Sequence, residues 1–148
     1  MSYAIQNNEE FEYEHDLSQM SRRYKDFITL YLLSIIIKRF EADEEPLTAH
    51  QLSIRDHLPI RLVNRLLSRL VETGVLREVY VEDEEDRTYQ PALDTHKISV
   101  GMVIERIESQ GTELFLQQPS PEMETFWESY LEMLQNHREL NKVPVSSL

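Results

Sequence analysis

The chain has no cysteine among its 148 residues. That excludes disulfides, thiol nucleophiles, and zinc or iron–sulfur centres held by cysteine. It has only three glycines, which leaves no room for a glycine-rich loop that cradles phosphate. Long hydrophobic runs are missing too. The most apolar stretch, 27–37, is bounded by Lys25, Asp26, Lys38 and Arg39, whereas a bilayer span needs about 20 residues. The N-terminus has neither the basic start nor the apolar core of a secretory signal. Positive charge is scarce: 15 Lys and Arg stand against 27 Asp and Glu, a formal net charge of −12. A field of that sign repels phosphate and opposes non-specific binding of nucleic acid.

Catalytic and metal-binding patterns are equally thin. The five histidines, His15, His50, His57, His96 and His137, are scattered, and none stands in a ligand spacing such as H-E-x-x-H. Carboxylates are abundant, but nothing singles out one pair for acid–base work. The expectation is no catalytic residue, no metal and no cofactor.

What is present is helical patterning. Residues 18–40 predict a long helix whose centre is apolar on nearly every side, including Phe27, Ile28, Leu30, Tyr31, Leu32, Leu33, Ile35, Ile36 and Ile37. Such a helix is the buried centre of a domain or a homodimer surface. Thr48 and Gln51 have capping-box spacing, and Leu47 and Leu52 that of a hydrophobic staple. They open a short helix that stops at His57, Leu58 and Pro59. A third helix over 59–73 places Leu62, Val63, Leu66, Leu67, Leu70 and Val71 on one face. Gly74 follows where a left-handed C-cap is expected.

Two strands are predicted at 75–81 and 87–93, joined by Glu82, Asp83, Glu84, Glu85 and Asp86. Pro91 puts the second at an edge or ends it. Ser99 caps a helix over 100–110, which Gly111 stops. A hinge at 117–121 leads to an amphipathic helix carrying Met123, Phe126, Trp127, Tyr130, Leu131 and Leu134, a packing stripe by spacing. The order is that of a winged helix-turn-helix: mainly α, with one small β-hairpin and an appended C-terminal helix. The divisions read as an acidic lead (1–17, with Tyr3, Phe11 and Tyr13), the winged-helix domain (18–116), the hinge, the last helix (122–141) and a fraying tail (142–148).

The polar face of the third helix carries the candidate binding residues: Arg61, Asn64, Arg65 and Ser68, with Arg69 at its border. From Ser53 to Arg77 five arginines face two acids, a local +3. Arg and Asn read base edges and phosphates, so a DNA-binding regulator is one reading. The five acids of the hairpin tip argue against it, because phosphate within about 10 Å would feel them. The competing reading is a non-catalytic interaction domain that docks to a protein, to a membrane domain of its own, or to a second copy.

Several blocks resemble one family: 2–7 (SYAIQN), 21–27 (SRRYKDF), 38–41 (KRFE), 58–62 (LPIRL), 89–94 (YQPALD) and 98–102 (ISVGM). They are similar to the C-terminal cytosolic part of the YihY/BrkB family of bacterial inner-membrane proteins, often labelled ribonuclease BN. The resemblance spans 2–115. It implies the soluble tail of a polytopic protein at the cytoplasmic face of the inner membrane. The label implies tRNA processing, a metal-dependent chemistry whose histidine motifs this chain does not contain. A second resemblance, over 58–76 and 98–107, is to winged-helix repressors that sense iron–sulfur clusters through cysteine ligands. The missing cysteines exclude that sensing chemistry here.

Overall fold

The computed structural model describes residues 17–82, 86–113, 118–139 and 141–148. The acidic lead through residue 16, and Asp83, Glu84 and Glu85 of the hairpin tip, lie outside the described residues. The architecture is mostly helical with one two-stranded antiparallel sheet, the winged-helix arrangement expected from the patterning.

Helix α1 spans Arg22–Glu41. It starts later than 18 because the Ser21 hydroxyl accepts the Tyr24 N–H at 3.2 Å and caps the helix there. Leu17, in a helical turn before it, is buried. The all-round apolar reading of α1 needs correction. Ile28, Leu32, Leu33, Ile36 and Ile37 are buried, but Phe27 and Tyr31 remain exposed on its outer face. A helix inside a layer this thin has one side left for water.

Helix α2 (Ala49–Arg55) begins in the predicted capping box: Gln51 N–H to Thr48 Oγ1 at 3.1 Å, and Thr48 N–H to Gln51 Oε1 at 2.9 Å. Helix α3 (Ile60–Glu72) buries Leu62, Val63, Leu66, Leu67 and Leu70, as its period requires. Each such side chain contributes about 1.5–3 kcal/mol on leaving water. Gly74 has φ 78° and ends α3 in a Schellman motif. Val75 N–H reaches Leu70 O at 2.9 Å and Gly74 N–H reaches Val71 O at 3.0 Å.

Strands β1 (Leu76–Tyr80) and β2 (Arg87–Pro91) pair from Leu76 opposite Pro91 to Tyr80 opposite Arg87. β2 stops at Pro91, which lacks an N–H. Helix α4 (Val100–Glu108) is capped by Ser99, whose Oγ accepts the Met102 N–H at 3.2 Å. Helix α5 (Pro121–Glu139) follows.

The expected fraying of the tail is not what the structure has. The tail lies against α4: Val100 N–H donates to Val143 O at 2.9 Å, Gly101 N–H to Asn141 O at 3.0 Å, and Val145 N–H to Ile98 O at 3.1 Å. Val145 is 0% exposed and joins the common core. Gly101 is what allows the approach. A Cβ there would sit 3.0 Å from Asn141 O and 3.2 Å from Arg138 O.

Candidate nucleic-acid interface

Helix α3 is held at both ends. At its start, Ser53 Oγ donates to Leu58 O at 2.6 Å and Leu58 N–H to Ser53 O at 3.0 Å. These bonds close the turn in which His57 takes φ 55°. At its end, Arg106 Nη1 donates to Thr73 O at 3.1 Å, a cation placed where the helix dipole favours one. Tyr31 adds a tie from α1, its hydroxyl donating to Asp56 Oδ1 at 2.9 Å. The other oxygen, Asp56 Oδ2, is buried without a hydrogen-bond partner. The carboxylate raises the Tyr31 hydroxyl above its usual range through this bond.

With its apolar face locked inward, α3 turns Arg61, Asn64, Arg65 and Ser68 to solvent. Arg69 differs: it is half-buried on the flank towards α1, where its charge acts on Asp26. Burial is the larger influence on that carboxyl, raising it above the ordinary aspartate range. The five candidates therefore divide. Asn64 and Ser68 line a groove of about 640 Å³ with Ile60. Arg61 and Arg65 stand on the exposed surface of the same helix.

The other wall of the groove is the hairpin, which presents Glu78, Asp86, Arg87 and Tyr89, and the start of α2 closes one end with Thr48, Ala49 and His50. The hairpin is moored there by a bridge between Thr48 and Thr88. Arg87 Nη1 donates to both Glu78 oxygens, at 3.2 and 3.3 Å. Its guanidinium lies 5.6 Å from the centre of the Tyr80 ring. The Glu78 bond pushes the guanidinium up from its ordinary value, and burial pushes Tyr89 up. Sequence reasoning missed Glu78, Arg87 and His50. The two-residue alternation of the strands was the available signal, since it puts Glu78, Tyr80, Arg87 and Tyr89 on one face.

A larger open cavity of about 970 Å³ runs along the outer face of α1, past Phe27, Leu30, Tyr31 and Ile35. It shares no residue with the polar face of α3, and size alone does not make it the site. Among the described residues, no group of three or more His, Asp or Glu is placed to hold a metal ion. No described helix is long and apolar enough to cross a membrane.

Helix α5 stands apart. None of its described residues is buried, and Met123, Phe126, Trp127, Tyr130, Leu131 and Met133 are all exposed. The sequence reading made this a packing stripe; within one chain it packs against nothing that buries it.

No family model matches the chain. No curated protein matches it either. Among solved structures it is similar to CymR of Staphylococcus aureus, with 17% identity, 83% of this chain and 93% of that one covered, and a TM-score of 0.55. It is also similar to CymR of B. subtilis, described as the global cysteine regulator (16% identity, 86% and 95% covered, TM-score 0.56). IscR of T. potens aligns at 16% identity, with 86% and 82% covered and a TM-score of 0.56. At these identities the likeness establishes the fold.

These neighbours overturn the resemblance to YihY/BrkB. The inner-membrane setting and the ribonuclease label fall with it. The physical reason lies in the blocks that carried the resemblance. Residues 58–62 form the turn into α3, 98–102 the cap of α4, and 89–94 the end of β2. Caps and turns obey local rules that unrelated chains share. The second resemblance, to winged-helix repressors, agrees with the neighbours at the level of the fold.

Proposed function

We propose that this chain is a duplex-DNA-binding transcription regulator that works as a homodimer, with α3 entering the major groove. The observation that carries the reading is the exposed polar face of α3, held rigidly at both ends and flanked by the hairpin. In a winged helix-turn-helix, this is the position of the recognition helix. Thirteen residues span about 20 Å, and a major groove about 12 Å wide admits one helix. Arg61, Arg65 and Asn64 supply donors suited to guanine, adenine and phosphate. The structural neighbours named as regulators support this reading over a docking module.

The net charge of −12 weighs less than the sequence reading allowed. Beyond about 8 Å at physiological ionic strength, exposed charges are largely screened. Four of the acids, Glu122, Glu124, Glu128 and Glu132, sit on α5, an element of its own. The dimer rests on α5 as well. A helix of 19 residues with an uncovered apolar stripe gains its stability by packing that stripe. A second copy offers the same stripe about a two-fold axis.

The test is fluorescence anisotropy of a labelled mixed-sequence duplex across a salt series, using the wild type and Arg65→Glu. Two or three arginine contacts per protomer give a log–log salt slope of roughly −2 to −3. The charge reversal weakens binding by about tenfold or more and flattens the slope by about one. No duplex binding by the wild type at low salt refutes the proposal.

A further inference from the structure

The hairpin root holds a charge arrangement that the recognition helix does not account for. Arg87 lies directly opposite Tyr80 and diagonally from Glu78, which is opposite Tyr89. The same-face diagonal is within reach of long side chains, and here Arg87 Nη1 meets both Glu78 oxygens. The Tyr80 ring lies against the guanidinium at 5.6 Å. The pair opens on the groove, across from Asn64 and Ser68 and beside His50.

The two partners are unequally placed. The Arg87 side chain is 54% exposed and that of Glu78 only 24%. A guanidinium has five donors in a planar fork, and Nη1 alone is engaged with Glu78. The remaining fork faces the open side. A carboxylate and a phosphodiester present the same pair of oxygens to such a fork.

We propose that this groove is a seat for a backbone phosphate, that Arg87 is its cation, and that Glu78 is a built-in stand-in for the phosphate that competes with DNA for Arg87. The inference rests on the DNA-binding reading and adds to it a contact and its restraint. Glu78 and the Tyr80 ring hold Arg87 in one orientation in the absence of DNA. An exposed ion pair of this kind is weak, so a phosphate can displace it. Glu78 then remains beside the phosphate as an unpaired negative charge, with Asp86 as a second acid in the same lining. Glu78 thereby limits affinity for any duplex that fills only this seat. Tight binding requires base contacts from α3 in addition.

The experiment uses the full chain and the same labelled duplex and salt series, with Glu78→Gln, Arg87→Gln and the double variant. Thermal melts show whether each is folded. Glu78→Gln is expected to tighten binding roughly three- to tenfold, the effect of one charge removed at about 4 Å in a largely aqueous setting. Arg87→Gln is expected to weaken binding and flatten the salt slope by about 0.9. The double variant should match Arg87→Gln alone, because Glu78 acts through Arg87. If the gain from Glu78→Gln persists without Arg87, Glu78 repels DNA directly and the stand-in role is overturned. An unchanged slope in Arg87→Gln, or no gain in Glu78→Gln, overturns the seat while leaving the DNA-binding reading intact. Absence of duplex binding by both the wild type and Glu78→Gln overturns both.

Discussion

Replacing Phe126 by Ala should split the homodimer without unfolding the chain. Phe126 is 76% exposed and Trp127, next to it, 41%. Fully burying a phenylalanine side chain contributes about 1.5–3 kcal/mol. Three-quarters of that transfer remains available to a partner, so about 1–2 kcal/mol per copy is at stake. A two-fold axis uses the same residue twice, giving about 2–4 kcal/mol per dimer. At 1.4 kcal/mol per factor of ten, the dimer dissociation constant should rise roughly 30- to 1000-fold. Sedimentation velocity over a micromolar concentration series measures this directly. Trp127, the chain's one tryptophan, supplies a second signal, because its emission should shift to the blue as the dimer forms. A wild type that sediments as a monomer at the highest concentrations would refute the reasoning. So would a Phe126→Ala chain that associates as well as the wild type.

Three further outcomes follow from the packing. Gly101→Ala gains up to about 1 kcal/mol of helix propensity, but its Cβ meets two backbone carbonyls at 3.0 and 3.2 Å, an overpacking that costs about 1–3 kcal/mol. The net expectation is a loss of about 1 kcal/mol with faster amide exchange at Val145; a stabilised chain with a protected Val145 would contradict it. Tyr31→Phe removes the donor to Asp56 Oδ1 while Oδ2 has no partner. It should cost about 1 kcal/mol and lower the melting temperature by a few degrees; an unchanged melt would show that the bond is idle. Asp26→Asn should raise the melting temperature at pH 7, because burial raises this carboxyl and so disfavours its ionised form in the folded chain. The folded state then binds the proton more tightly, and the ionisation cost appears as pH rises through the raised value. The gap between variant and wild type should close below about pH 4, where the acid is protonated folded or unfolded. A gap that widens on acidification would reverse the sign of this argument.

The acid-rich hairpin led the sequence reading away from DNA, and the groove shows why counting charges along a chain is a blunt guide. Glu78 and Asp86 are both negative, yet Glu78 is engaged by Arg87 from the facing strand. A one-dimensional count records Glu78 as a repulsive charge. Pairing across the hairpin makes it half of a neutral pair with a cation exposed at its edge.

The amino-acid sequence determined by itself what depends on neighbours three or four residues apart. The capping box at Thr48 and Gln51, the Ser99 cap, the Gly74 stop and the inward face of α3 were all legible. Each is a local bond or a helical period, and from their order came the winged helix-turn-helix. Tertiary structure alone decided what joins distant residues. Val145 sits under Ile98, Tyr31 holds Asp56, and the hairpin closes on Asn64 and Ser68 to make a groove. No period or cap encodes these meetings, because they depend on how several packed elements settle against one another. The same limit misled the family assignment, which rested on caps and turns. It also explains why the uncovered stripe of α5 became visible only once every other apolar face had found its place.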